Sequence, residues 1–221
     1  MDGKLQRRLM LFLLLLVSGG VVVSQTGCIG LAAHVIYAIR GNKVKAEYSG
    51  LEKKRVAVIC VSSASTYGPD NAAERIANAV RMTLAQQNLK IDFVRQNEIN
   101  DWLDGNWEDI DYVEIGKAVK ADRVVAIDME SYSLYEGTTL FKGRSGFTVS
   151  VFDMEQGGQQ VFGKGPREFE YPKSTVVPAT STSERQFEQY FVMEMGAEVA
   201  RYFYDYDFPE TIARDAAHIG R

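Results

Sequence analysis

The sequence predicts an α/β fold: a single mixed sheet, a parallel βαβ half followed by an antiparallel meander, with helices packed on the sheet and a C-terminal helix. Three observations carry this reading. Val56–Val61 and Arg123–Asp128 are apolar on both alternating faces, as central strands covered on each side are. Between them Ile76, Val80 and Leu84 recur at helical spacing. Beyond residue 129 apolar and polar residues alternate singly, the pattern of antiparallel strands with one face in water.

The chain opens with an apolar stretch from Leu9 to Val23, fronted by Lys4, Arg7 and Arg8 and closed by Ser24-Gln25-Thr26-Gly27-Cys28. A basic head, a leucine run short for a bilayer core of about 30 Å, and small residues before a cysteine are the layout of a signal peptide, residues 1–27. Cleavage after Gly27 would leave Cys28 as the new first residue, its thiol open to a diacylglycerol and its amino group to a further acyl chain. The alternative is an uncleaved helical anchor, lengthened by the second apolar run Ile29–Ile39. Both readings attach the chain to a membrane, and more than one acyl chain holds firmly at about 0.8 kcal/mol per buried CH₂. Ile29 and Gly30 after the cysteine carry no acidic retention residue, which points to the outer membrane and a periplasmic body.

Of 221 residues, the 194 left after the first 27 suit one domain. Loss of Lys4, Arg7, Arg8 and Asp2 takes the net charge from −4 to −6, and an acidic surface without a basic stripe lacks the charges that bind nucleic acid. With Cys28 acylated, Cys60 is the remaining thiol, so no internal disulfide forms and apolar burial must hold the fold.

Residues 28–53 read as the lipidated start and a tether, 54–208 as the α/β domain, and 209–221 as a polar tail. Cys60 is expected as a buried core thiol. Ser62–Gly68 is a small-residue loop, Pro69-Asp70 opens the first helix, and Ile91–Val94 closes a βαβ unit whose crossover should be right-handed. Glu98–Leu103, carrying Trp102, and Tyr112–Val119 read as short helices. The meander spans 129–171, with Glu155–Gly158 as a turn and with Gly143–Gly146 and Gly163–Pro166 also read as turns, so that Lys142, Arg144 and Lys164 fall in turn segments. Pro172–Ser183 is a loop. Ser181 and Glu184 form a capping box for a last helix with the buried stripe Phe187, Phe191, Met195, Val199 and Tyr202, ended by Phe208-Pro209. Tyr202, Phe203, Tyr204 and Tyr206 close the core there.

Catalytic groups are scarce. His34 lies in the apolar segment and His218 in the tail, neither with an evident acceptor or nucleophile, and no Cys or His spacing suits a metal. No catalytic residue, metal ligand or cofactor is therefore expected. Asp101–Asp111 collects carboxylates at a spacing that does not fit a calcium loop, and its two aromatic residues, Trp102 and Trp107, are the better clue as partner-binding anchors. Ser62, Ser63 and Ser65, after the first strand, are the nucleophiles that an unrecognised serine hydrolase would use.

Lys54–Val58, the helix from Asn71, and Ile115–Val125, in which a helix ends in Lys-Ala-Asp and runs into a hydrophobic strand, resemble a group of bacterial envelope proteins. The group comprises the curli-secretion lipoproteins of CsgG type, the lipoproteins that activate penicillin-binding proteins, and the amino-terminal domain of TolB. The resemblance covers about residues 54–205 and implies a compact α/β domain working in the envelope. This chain lacks the long amphipathic hairpins of a curli-type pore and the blade repeats of a propeller, and its tether is shorter than those of the activators. The expectation is a non-enzymatic lipoprotein that contacts an envelope protein or associates with itself; an oligomeric secretion-pore subunit is the alternative. Intact mass of protein taken from its native membrane tests the leader: an acylated Cys28 start lies thousands of daltons below a retained Met1 start, which would instead show an uncleaved anchor.

Overall fold

The computed structural model describes residues 43–62, 71–106 and 110–207. They fall in two units: a body from Lys45 to Tyr206, and a second unit represented here by Lys43, Val44 and Asp207. The segments that carry the expected leader, Cys28, both histidines and Trp107 lie outside the described residues.

The body contains β1 (Arg55–Ser62), α1 (Asn71–Ala85), β2 (Asp92–Phe93), α2 (Gln96–Gly105), α3 (Tyr112–Ala118), β3 (Arg123–Glu136), β4 (Leu140–Asp153), β5 (Gln159–Tyr171), β6 (Val177–Pro178) and α4 (Glu184–Ala200). The sheet order is β2-β1-β3-β4-β5, with β6 added to the start of β4. β2 and β3 run parallel to β1, and β4 runs antiparallel to both of its neighbours, β3 and β5, so the sheet is mixed as its sequence patterning predicts.

Each face of the sheet has its own apolar cluster. Val56, Val58 and Cys60 of β1 and Val125, Ile127 and Met129 of β3 point to the side of α1 and α4, where Ile76, Val80, Phe187, Phe191 and Met195 complete the main core. Ala57, Ile59 and Val124 point the other way, against Ile99 and Leu103 of α2 and Ile115 of α3. Fully burying a side chain the size of Phe187 or Phe191 contributes about 1.5–3 kcal/mol, and with no disulfide among the described residues this burial is what holds the body together. The helices cover the two faces unequally. α1 and α4 pack tightly enough that a Cβ on Gly196 would sit 2.5 Å from the Ala79 Cβ. On the other face α2 and α3 cover the parallel strands, and the outer side chains of β4 become alternately half-exposed: Leu140, Lys142, Arg144, Gly146 and Thr148.

The structure corrects the sequence reading at several places. β3 is one 14-residue strand that pairs parallel with β1 on one side and antiparallel with β4 on the other. Gly143–Gly146 is strand, not turn: Gly143 faces the core, where a Cβ would come within 2.0 Å of the Phe191 ring, so glycine serves close packing there. Gly163–Pro166 likewise lies within β5, at a bulge that sets Arg167 opposite Phe147 and Lys164 opposite Val149. Lys142, Arg144 and Lys164 are accordingly strand residues.

The cap of α4 is Ser183, whose hydroxyl accepts from the Gln186 N–H, while Ser181 donates to the Pro178 carbonyl in the loop before it. α4 ends at Ala200, short of Phe208-Pro209, and a 3₁₀ turn, Arg201–Phe203, then buries Tyr202 and Phe203. The Pro172–Ser183 loop contributes β6, and Asp101–Gly105 is helical. Residues 45–53, assigned from sequence to the tether, belong to the body. Leu51 is fully buried, and the Tyr48 N–H donates to the Tyr202 carbonyl.

The Gly143–Phe191 contact gives a test. Gly143→Ala should lower the unfolding free energy by about 1–3 kcal/mol through overpacking, and Phe191→Leu in the same chain should recover part of that loss. Urea unfolding of the two single variants and the double variant measures the coupling; strictly additive losses would show that the two residues do not meet.

Candidate functional site

A hydrolase built on the first strand has to bring its nucleophile to a base. Ser62 is 3% exposed at the end of β1, on the face shared by Val58 and Cys60. The carboxylate nearest in register, Asp128, pairs with Val61 and so points to the opposite face. There it accepts a hydrogen bond from the Tyr112 hydroxyl, whose ring stacks on Phe152 at 5.7 Å. Burial, reinforced by that bond, pushes the Tyr112 hydroxyl far up from its ordinary value, so it stays protonated and holds Asp128 as a donor. The pair closes the α3 side of the sheet. Ser63 and Ser65 lie outside the described residues.

Trp102 sits on α2, half-buried against the cluster that lines the α2–α3 face, and its carbonyl accepts from the Asn106 side chain. It pins the helix to the sheet. Among the described residues no group of His, Cys, Asp and Glu could hold a metal ion, and no helix is long and apolar enough to cross a membrane.

Two groups of ion pairs link strands of the sheet to one another. The first is an end clamp. Arg123, 8% exposed, reaches Asp153 at 2.6 Å and Glu155 at 2.9 Å, and Lys54 reaches Glu155 at 2.7 Å. The clamp ties the starts of β1 and β3 to the end of β4. Bonds from Lys54 and then Arg123 hold the Glu155 carboxyl below the usual carboxylate range.

The second lies on the face of the antiparallel half opposite α4, which no described helix covers. In register, Ser133 of β3, Arg144 of β4 and Glu170 of β5 lie side by side. Arg144 bonds Glu170 at 3.1 Å and also Glu136, and Lys142 bonds Glu170 at 2.9 Å. These pairs link three strands across one surface. They hold the Glu170 carboxyl low, Lys142 contributing first and Arg144 second. Thr148 donates to Glu130 at 3.3 Å further along. β5 borders this face, 13 residues long and, among the described residues, paired with β4 alone. The sequence reading missed this ladder because Gly143 stands where a large inward residue would have marked a strand. The signal was present in Phe141, Ser145, Phe147 and Val149, which keep the period of two on either side.

No family model matches the chain, and no curated protein matches it. Solved structures to which it is similar include a hypothetical protein from Chlamydia trachomatis, 13% identical, covering 67% of this chain and 96% of that one with a TM-score of 0.40. Another is the PelC dodecamer from Paraburkholderia phytofirmans, 12% identical, covering 73% and 96% with a TM-score of 0.42. A third is the lipoprotein GNA1162 from Neisseria meningitidis, 10% identical, covering 66% and 94% with a TM-score of 0.41. Bacterial lipoproteins recur among the similar structures. At these identities and scores the functional reading rests on this chain's own residues.

Both Glu155 and Glu170 titrate below the ordinary carboxylate value in the folded state, so their pairing stabilises the fold above that value and is lost as pH falls through the folded values. A chain carrying Glu155→Gln and Glu170→Gln should be less stable than the parent at pH 7, with the gap closing in acid. Urea midpoints read from neutral pH down to about pH 3 check it; a gap that stays constant would show that these carboxylates are not held by their partners.

Proposed function

We propose that this protein is a non-enzymatic, membrane-anchored envelope lipoprotein whose α/β body binds another protein, or a second copy of itself, through the open face of β3–β5 and the edge of β5. The observation that carries the reading is the unequal cover of the sheet. One face is sealed by the aromatic side chains of α4, while the other presents an ordered lattice of charges that ends in a long strand with one backbone edge unpaired among the described residues. Arg144, held between two carboxylates, sits at the middle of that lattice, and an unpaired strand edge is a template for main-chain pairing with a partner. The leader and Cys28 supply the address and the lipid attachment, with the body facing the periplasm and the outer membrane as its seat.

The secretion-pore alternative needs strands with a lipid-facing side. Here the long strands spend one side on Phe147, Phe187 and Phe191 and carry ion pairs on the other, which speaks against that use. The separation of Ser62 from Asp128 across the sheet speaks against the hydrolase.

A photoreactive amino acid placed at Ser133 on the open face, or at Gln160 on the β5 edge, should crosslink an envelope protein in intact cells, and the same group at Glu114 on α3 should not. Arg144→Glu should reduce the yield from Ser133 about tenfold, the scale of one lost charge-assisted contact. Equal yields from all three positions, or none above background from Ser133 and Gln160, would contradict the assignment.

A further inference from the structure

We propose that Lys164, Arg167 and the Tyr202 hydroxyl form a docking site for the phosphate of a phospholipid headgroup. The site is made by the bulge in β5. Between Phe147 and Val149 the β4 strand advances two residues while β5 advances three, from Arg167 back to Lys164. The extra residue brings two cations that would otherwise point to opposite faces onto one side, the side of α4. Glycine is what permits this: Gly165 has φ +136°, and a Cβ there would lie 2.9 Å from the Thr148 Cα and 3.1 Å from the Phe147 carbonyl oxygen.

Below the bulge lies Tyr202, on the 3₁₀ turn after α4 and 6% exposed. Its hydroxyl is buried and has no hydrogen-bond partner among the described residues. Such a group is costly unless something occupies it. Burial pushes the hydroxyl up from its ordinary value, so it carries its proton as a donor, and the neighbouring Arg167 charge pulls the other way. The Lys164 ammonium lies 5.8 Å from the centre of the Tyr202 ring and bonds Glu47 at 2.7 Å. Arg167 is exposed and makes no ion pair among the described residues. The set therefore offers a guanidinium fork without a carboxylate partner among the described residues, an ammonium and a phenolic group against Glu47, since the other nearby carboxylate, Glu198, is paired with Arg201, and that demand is met by an oxyanion.

Position selects the source of that oxyanion. Glu47 on Lys164 and Tyr48 on Phe162, with ring centroids at 5.6 Å, bind the opening segment of the body to this same corner. That segment leads back through 17 residues to Cys28 (45 less 28), an extended reach of at most about 60 Å. An anchored chain samples the headgroup surface at high effective concentration, so a weak phosphate site is enough to hold the body against it. Tyr204 and Tyr206, half-buried side by side at 6.2 Å with Arg201 over the Tyr206 ring, add the amphipathic aromatics that favour such an interface. The inference rests on the lipoprotein reading, and its test separates the two.

Protein purified from its native membrane is placed in vesicles of phosphatidylethanolamine and phosphatidylglycerol or in a neutral detergent, and lysine acetylation is followed by mass spectrometry. Lys164 should acetylate about threefold more slowly on vesicles than in detergent, while Lys117 and Lys120 on the α3 side do not change. Arg167→Gln should return Lys164 to its detergent rate, although flotation still shows the protein on the vesicles, because flotation reports the anchor and acetylation reports the site. Equal Lys164 rates in vesicles and detergent, with flotation intact, would overturn the site and leave the anchor standing. Protection in detergent by glycerol 1-phosphate would assign a soluble phosphate in place of a lipid, and protection by a polyglutamate peptide an acidic protein; either overturns the proposal.

Discussion

Everything in this fold turns on how the antiparallel half of the sheet buries one side. β3 and β4 are each 14 residues long, and a hairpin of that length is not stable in water unless an element covers a face. α4 is that element. Phe187 stacks on Phe141 at 5.0 Å, and Phe191 meets Tyr132 at 5.5 Å and Phe169 at 5.6 Å, so one helix holds residues from all three long strands. Gly143 makes room for the Phe191 ring at the centre of this contact. Because α4 occupies that side, the side chains of the other side are committed to water, and their charges pair with one another across the strands.

This constraint explains why the chain carries two kinds of charged contact. The Arg123–Asp153 pair is buried where β3 starts and β4 ends, where an unpaired charge would be costly, and there it orders the sheet. The Arg144 and Lys142 pairs are only partly buried, where each ion pair contributes less to stability. Their value lies in fixing which charge stands at which point of the open surface, which is what a partner reads. The same division governs the edge strand. The bulge at Gly165 with Lys164 and Arg167 beside it interrupts the β5 edge, a device that guards against indiscriminate strand pairing. It leaves the segments on either side of it for a selected contact.

Much of this was legible in the residues. The doubly apolar runs of β1 and β3, the helical spacing in α1 and the Phe187–Tyr202 stripe announced the layers, since burial on two faces, one stripe or alternate positions leaves distinct periods. The antiparallel half was recognised, but its extent was not. Gly143, Gly146, Gly163 and Gly165 read as punctuation, whereas Gly143 is set by a ring packed against it and Gly165 by a bulge, both consequences of tertiary neighbours that no local pattern contains. The cross-strand ladder was hidden for the same reason, because Arg144 and Glu170 meet only once the register of β4 and β5 is known. Leu51 was assigned to the tether because its neighbours are polar, and its burial comes from the core beneath it.

The central claim is that an exported body shows one sealed and one open face on the same strands. Single cysteines placed along β4, at Arg144, Gly146 and Thr148 and at Ser145, Phe147 and Val149, report both parts of it when whole cells with a permeabilised outer membrane are treated with a maleimide that does not cross the inner membrane. The account predicts labelling at 144, 146 and 148 and protection at 145, 147 and 149. Labelling of all six alike, or labelling that appears only after the inner membrane is broken, would contradict it.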